Sequence, residues 1–214
     1  DDAAEPFAAA GRLADRTSTA SEWPAKGTFR LRRPAFMEEK TLTPAEKGSV
    51  SHLLMQHLPL DRPMDEAAVR AVLDDMTARK LLTPFQAASA DAGAAAAFYN
   101  SELGLRLLRA SWVRREVPFS SMFPAGRIYP EAAAQLDGEG VLIQGVIDCL
   151  FQDERGLVLL DYKTDRIYMQ QWEQAAERHR FQIELYAEAV ESALGRKVDE
   201  RYVYFFDGAQ AVKL

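Results

Sequence analysis

The sequence predicts an α/β (α+β) domain in which a mixed central sheet is flanked by helices and preceded by a mainly helical N-terminal half. Three observations predict it. Helix-start signals and 3.6-residue apolar stripes fill the chain up to about residue 110. Runs of strand length take over from Trp112. The second half then reads β-β-β-α-β, an order that packs naturally as a sheet with helices on its faces. With 214 residues, 48% hydrophobic and 27% charged, the chain has the size and balance to bury a core.

Residues 1–25 read as a flexible tail or a linker, with neither a basic start nor an apolar signal core. The first helix lies in TLTPAEKGSVSHLLMQHLPL, with Thr43 as N-cap, Pro44 in the first turn and Glu46 able to close a capping box. Gly48 and His52 are four apart and share a face, and Pro59 ends the segment. From Met64 to Leu82, Val69, Val72, Leu73 and Met76 fall at helical spacing. Thr83-Pro84 restarts a helix, DAGAAAAFYN continues it with strong helix formers, and SELGLRLLRAS adds a short one. SWVRREVPFSSMF alternates and contains a proline, which suits an edge strand. After the next two strands comes an amphipathic helix over about Gln170 to Leu194, with Phe181, Leu185, Ala189, Val190 and Leu194 on its apolar side. RYVYFFDG closes the domain as an aromatic strand.

The informative segment is VLIQGVIDCLFQDERGLVLLDYKTD. It reads as a hairpin with strands Val141 to Gln152 and Leu157 to Lys163, and with Gly156 where a positive φ is wanted. If Gln152 pairs with Leu157, counting back along the ladder sets Asp148 opposite Asp161. Opposed Cβ atoms lie about 5 Å apart, so two carboxylates there repel by roughly 3 kcal/mol at an effective dielectric near 20. A divalent cation converts that repulsion into coordination, and carboxylates with room for water suit Mg²⁺ or Mn²⁺. Lys163, two residues past Asp161, falls on the same face. A blander reading stands beside this one: one aspartate at a frayed strand end, the other in a structural ion pair with Lys163. A five-residue loop, moreover, would send the two carboxylates to opposite faces.

Other groups are candidates. His52 reads either as a satisfied interior histidine or as a third ligand beside the aspartates. Glu116 is a strand carboxylate near the patch or a surface charge. Gln182 and Tyr186, one helical turn apart, either edge the core or, with Arg178 and Arg180, grip a phosphate backbone. The formal charge of −6 argues against free-standing nucleic-acid binding, yet FRLRRP, with Arg30, Arg32 and Arg33, and the Arg178-His179-Arg180 run leave room for a basic groove. The single Cys149 excludes an internal disulfide and a multi-cysteine metal site, and fits a reducing intracellular setting. No run is apolar for long enough to span a membrane, and no G-x-x-x-x-G-K-[ST] motor motif occurs.

Taken in chain order, Gly48-x-x-x-His52, Glu116-x-Pro118-Phe119, Gly145-x-x-Asp148, Asp161-Tyr162-Lys163 and Gln182-x-x-x-Tyr186 resemble the motif series of RecB-type nuclease domains in the PD-(D/E)XK superfamily. GVIDCLFQDERGLVLLDYKTDR, with RRPAFM and LTPAEKGSVSHLLMQHLPL, is similar to the C-terminal nuclease domains of AddA-type proteins in bacterial AddAB helicase-nucleases. The likeness covers residues 26–214. It departs at Ile147, which stands where the superfamily's proline would be, and upstream of Trp23, where the usual opening helix is not found. The resemblance implies a restriction-endonuclease-like core and Mg²⁺, with Mn²⁺ as a substitute, held by His52, Asp148, Asp161 and the backbone carbonyl of Tyr162. Asp148, Asp161 and Lys163 would carry catalysis, Glu116 would stand beside the ligands, and Gln182 and Tyr186 would hold the DNA. It also implies mainly single-stranded DNA as substrate, delivered by a helicase region of the same polypeptide, an AddB-like partner, and the bacterial cytoplasm, in double-strand break processing and recombinational repair. Two further readings are an inactive nuclease fold serving as a DNA-binding scaffold, and a phosphoesterase with a closed pocket for small substrates.

Overall fold

The structure, a computed structural model, describes residues 41–214. The expected tail over residues 1–25, the domain start at Lys26 and the arginines Arg30, Arg32 and Arg33 lie outside the described residues.

Five helices come first: α1 (Pro44–His57), α2 (Glu66–Ala78), α3 (Pro84–Ser89), α4 (Ala92–Asn100) and α5 (Glu102–Leu108). Each begins on a side chain that satisfies an otherwise orphan backbone N–H. Thr43 and Thr83 form full capping boxes with Glu46 and Gln86, and Asp65, Asp91 and Ser101 cap the other three. The expected cap of α1 is therefore the observed one. β1 (Trp112–Pro124) follows, then the four-residue α6 (Ala125–Ile128), β2 (Gly140–Asp153) and β3 (Gly156–Lys163). α7 (Trp172–Glu177) and α8 (Arg180–Leu194) cross over to β4 (Glu200–Phe205), and β5 (Gln210–Lys213) ends the chain.

The sheet runs in the order β1-β2-β3-β4-β5. Only β3 and β4 are parallel, so the sheet is mixed and β1 is an edge, as its proline demands. β3 is covered on both faces, which is why LVLLDY is almost unbroken apolar sequence. Val158, Leu160 and Tyr162 point to the layer of α1–α5, where Leu54, Phe98 and Tyr204 pack. Leu157 and Leu159 point the other way, towards Ala176, Ile183, Ala187 and Val190 of α7 and α8.

Two expectations change. The single helix over Gln170 to Leu194 is two helices, because between Ala176 and Ile183 the residues Glu177, Arg178, His179 and Arg180 have nothing to bury. α7 sets Ala175, Ala176 and Trp172 into the core beside β4 and β5, whereas α8 reaches across to β1 and packs Leu185 and Ala189 on Phe123. The buried stripe of α8 is Ile183, Ala187 and Val190 with Leu185 and Ala189; Phe181 and Leu194 are exposed at 45% and 49%. A fifth strand, β5, also pairs with β4 and is too short to announce itself by alternation.

One break in the sheet positions the site. The β2–β3 ladder runs from Asp153 opposite Gly156, through Gln152 opposite Leu157, to Cys149 opposite Leu160, and stops. β2 stays paired with β1 as far as Gly140 opposite Pro124, so the two strands leave the sheet together as a ribbon. At the fork the pairing of β1 with β2 skips one step, the step that would join Glu116 to Asp148. Glu116 there has φ +53°, and Ile147 and Leu150 pack on the α7–α8 side while Cys149 and Phe151 pack on the other. The inside-outside alternation therefore slips by one residue at Asp148.

Candidate active site

The fork leaves Tyr162 without a strand neighbour on its β2 side. Lys163 lends its carbonyl to the Phe206 N–H, so in a parallel ladder the intervening Tyr162 turns both its N–H and its C=O away from β4. Asp148 fills the gap: one carboxylate oxygen accepts the Tyr162 N–H at 2.7 Å, and the other lies 3.1 Å from His52 Nδ1. The Tyr162 carbonyl faces the same space. Its ring points into the core instead, edge-on to Phe98 at 5.3 Å and stacked on Phe206 at 5.6 Å.

Asp161 follows on the opposite face of β3, 2% exposed. Its Oδ2 lies 2.9 Å from Lys163 Nζ, close enough for an ion pair, but no hydrogen bond of good geometry satisfies that oxygen. Lys163 Nζ donates to Gln182 Oε1 at 3.1 Å, and Gln182 Nε2 donates to the Tyr186 hydroxyl at 2.7 Å. Phe119 meets the Tyr186 ring edge-on at 5.2 Å. Gly145 is required here, because a Cβ would stand 2.7 Å from the Phe119 ring and 3.6 Å from that of Tyr186.

The structure thus joins seven of the residues singled out in the sequence: His52, Glu116, Asp148, Asp161, Lys163, Gln182 and Tyr186. It brings Glu116 closer than expected, with donor atoms of His52, Glu116 and Asp148 all within 4.8 Å of one another. The signal for this lay in the β1–β2 register, which the 15 residues between the two strands leave unspecified. Arg178 and Arg180 stand apart. Arg178 ends α7 on the surface and Arg180 pairs with Glu177. A cavity of about 500 Å³ lined by Gly48, Ser49, His52 and Glu116 opens beside the cluster.

Charge at the site is unbalanced. Burial, reinforced by the Asp148 carboxylate, raises Asp161 to about 6 although Lys163 pulls the other way. Glu116 is raised for the same two reasons, its own desolvation and Asp148. Burial works against a charged His52, but its hydrogen bond to Asp148 and the three nearby carboxylates outweigh this and raise it. Three carboxylates face one ammonium group, and an imidazole stands among them. An under-satisfied buried carboxylate oxygen and a set of hard oxygen donors with one imidazole fit a small divalent cation.

A sheet that splits at an aspartate, with the next strand bearing Asp-x-Lys, defines a restriction-endonuclease-like nuclease fold. The model of the PD-(D/E)XK nuclease superfamily matches residues 18–213, and the chain belongs to that family. Curated relatives include the AddA component of the ATP-dependent helicase/nuclease of Pelotomaculum thermopropionicum, 50% identical over 84% of this chain and 14% of its own length. The proteins of the same name from Geobacillus thermodenitrificans and Bacillus pumilus are 45% and 44% identical over 88% and 85% of the chain, and 16% and 15% of theirs. The chain therefore spans about a seventh of the length of these relatives. Among the described residues no helix is long and apolar enough to cross a membrane.

Proposed function

We propose that this domain hydrolyses phosphodiester bonds of DNA with a divalent cation, Mg²⁺ or Mn²⁺, as the nuclease part of an AddA-type helicase-nuclease. The observation that carries the reading is the joint placement of Asp148, pinned by the Tyr162 N–H, and of Lys163, held between Asp161 and Gln182. His52, Asp148, Asp161 and the Tyr162 carbonyl would hold the ion, with Glu116 beside them. When bound, the cation supplies Lewis acidity towards a phosphoryl oxygen and acidifies water. Lys163 keeps positive charge where negative charge develops on the scissile phosphate, and it holds or releases a proton at Nζ. Gln182 fixes the Lys163 ammonium, and Tyr186 fixes Gln182 through its hydroxyl. Those two groups also offer hydrogen bonds to the strand. Arg178 and Arg180, on the rim, would steer the phosphate backbone.

The substrate is mainly single-stranded DNA in double-strand break processing and recombinational repair. No motor motif occurs in this chain, so unwinding belongs to a helicase region of the same polypeptide, assisted by an AddB-like partner in the bacterial cytoplasm. End-labelled single strands of both polarities, incubated with Mg²⁺, Mn²⁺ or EDTA, test this. Cleavage to 5′-phosphate ends that needs the metal and vanishes in Lys163→Ala supports it; wild-type protein inert with both metals overturns it.

A further inference from the structure

The segment between Lys163 and α7 carries an exposed apolar tip that the site chemistry leaves unexplained. Tyr168 is 79% exposed and Met169 90%, and no other large apolar side chain of the described residues is as exposed. The tip is also held in an unfavourable backbone: Met169 and the next residue, Gln170, both have positive φ, +55° and +56°. For residues with a side chain this costs on the order of 1 kcal/mol each, and such strain gathers where a side chain must be presented in a set direction.

Both ends of the tip are anchored. Before it, the Ile167 N–H donates to Asp207 Oδ2 at 2.7 Å. After it, Trp172 lies over Gly208, where a Cβ would come within 2.6 Å of the indole. The anchors lie close to the chemistry. His179 Nε2 is 3.8 Å from the Asp165 carboxylate, and its ring packs on Phe205, the partner of Lys163 in the β3–β4 ladder. Tyr168 follows Lys163 by five positions, at most about 18 Å of chain. Between them Arg166 is exposed and has no ion-pair partner among the described residues.

An aromatic face, a thioether and an unpaired guanidinium on one anchored loop are the groups with which proteins hold unpaired nucleotides: stacking for the base, charge for the phosphate. We propose that the Tyr168–Met169 tip is a stacking platform for a base of the substrate strand beside the cleavage site, with Arg166 on the adjoining phosphate. This rests on the single-strand nuclease reading and deepens it, since a base paired in a duplex has no free face to offer the tip.

Steady-state cleavage of a dT oligonucleotide, and its equilibrium binding in EDTA, test the platform. Tyr168→Ala raises KM and Kd by about 5- to 100-fold with kcat within about twofold, while Tyr168→Phe, which keeps the ring, behaves as wild type. An otherwise identical strand with abasic sites binds the wild type as weakly as the intact strand binds Tyr168→Ala. Arg166→Ala flattens the slope of log Kd against log salt by about 0.7, and Tyr168→Ala leaves it unchanged. If the wild type cuts and binds single strands but Tyr168→Ala and Met169→Ala do so equally well, the proposal is overturned and the tip is a protein contact. A wild type that neither binds nor cuts them brings down this proposal together with the nuclease reading.

Discussion

The Asp148 carboxylate and the Tyr162 backbone are bonded across the point where two strands part, at 2.7 Å. The side chain does the work of a missing strand, since without it the Tyr162 N–H has no partner on that side.

Asp148 therefore serves structure as well as chemistry, and two substitutions separate the roles. Asp148→Asn keeps an oxygen acceptor for the amide and should stay within about 1 kcal/mol of the wild type. Asp148→Ala should lose about 1–3 kcal/mol through the unpaired buried N–H. Urea unfolding in EDTA measures the difference, and both variants should lack metal-dependent cleavage.

Asp161 is nearly fully buried and its Oδ2 lacks a well-directed hydrogen bond. Without metal it is a burden, so Asp161→Asn should melt no lower than wild type in EDTA. Mn²⁺ at 100 times its dissociation constant should stabilise the wild type by about 2.7 kcal/mol and leave Asp161→Asn almost unmoved. Thermal melts with and without Mn²⁺ check both halves.

Lys163 and Gln182 are to be distinguished by degree. Lys163→Ala removes the positive charge and should lower kcat by at least about 10²–10³-fold while retaining Mn²⁺ binding in calorimetry. Gln182→Ala leaves the ammonium present but released on one side, so the loss should be smaller. Single-turnover rates at saturating DNA separate the two.

Away from the site, Arg106 of α5 ties the hairpin turn to β4. Its Nε donates to Asp153 at 2.7 Å and its Nη2 pairs with Glu200, the three side chains being 10%, 7% and 13% exposed. Arg106→Met strands two carboxylates and should cost about 3 kcal/mol. Although burial works the other way, Arg106 holds Asp153 below its ordinary 3.8, and Lys213 and Arg106 hold Glu200 below its ordinary 4.5. Acids depressed in the folded state stabilise it fully above those values, and the contribution drains away as pH falls through them. Wild-type stability should thus fall below about pH 4.5, and Arg106→Met should flatten that part of the profile in denaturation at stepped pH.

Much of this was legible because it rests on local rules. The caps of α1 and α3 followed from Thr-Pro with Glu46 or Gln86 two residues on from the proline. The register of β2 with β3 followed from Gly156, and with it the convergence of Asp148 and Asp161 on neighbouring positions. What stayed hidden depends on contacts between distant segments. Nothing near Glu116 in sequence tells that it faces Asp148, since the chain between β1 and β2 can close at several registers. The division of α7 from α8 reflects which part of the sheet each covers, and periodicity alone carries no trace of that. Phe181 and Leu194 fitted an apolar stripe, but the groove beneath α8 is filled from Ile183, Ala187 and Val190.

The ribbon of β1 and β2 beyond the fork has no further strand beside it and is braced by α8, where Phe123 packs on Leu185 and Ala189. It is a lever whose fulcrum is Asp148. Any change in that distant brace tilts the arm and alters the aperture between Asp148 and Asp161, so the fit for a small or a larger ion is tuned from residues that never touch it.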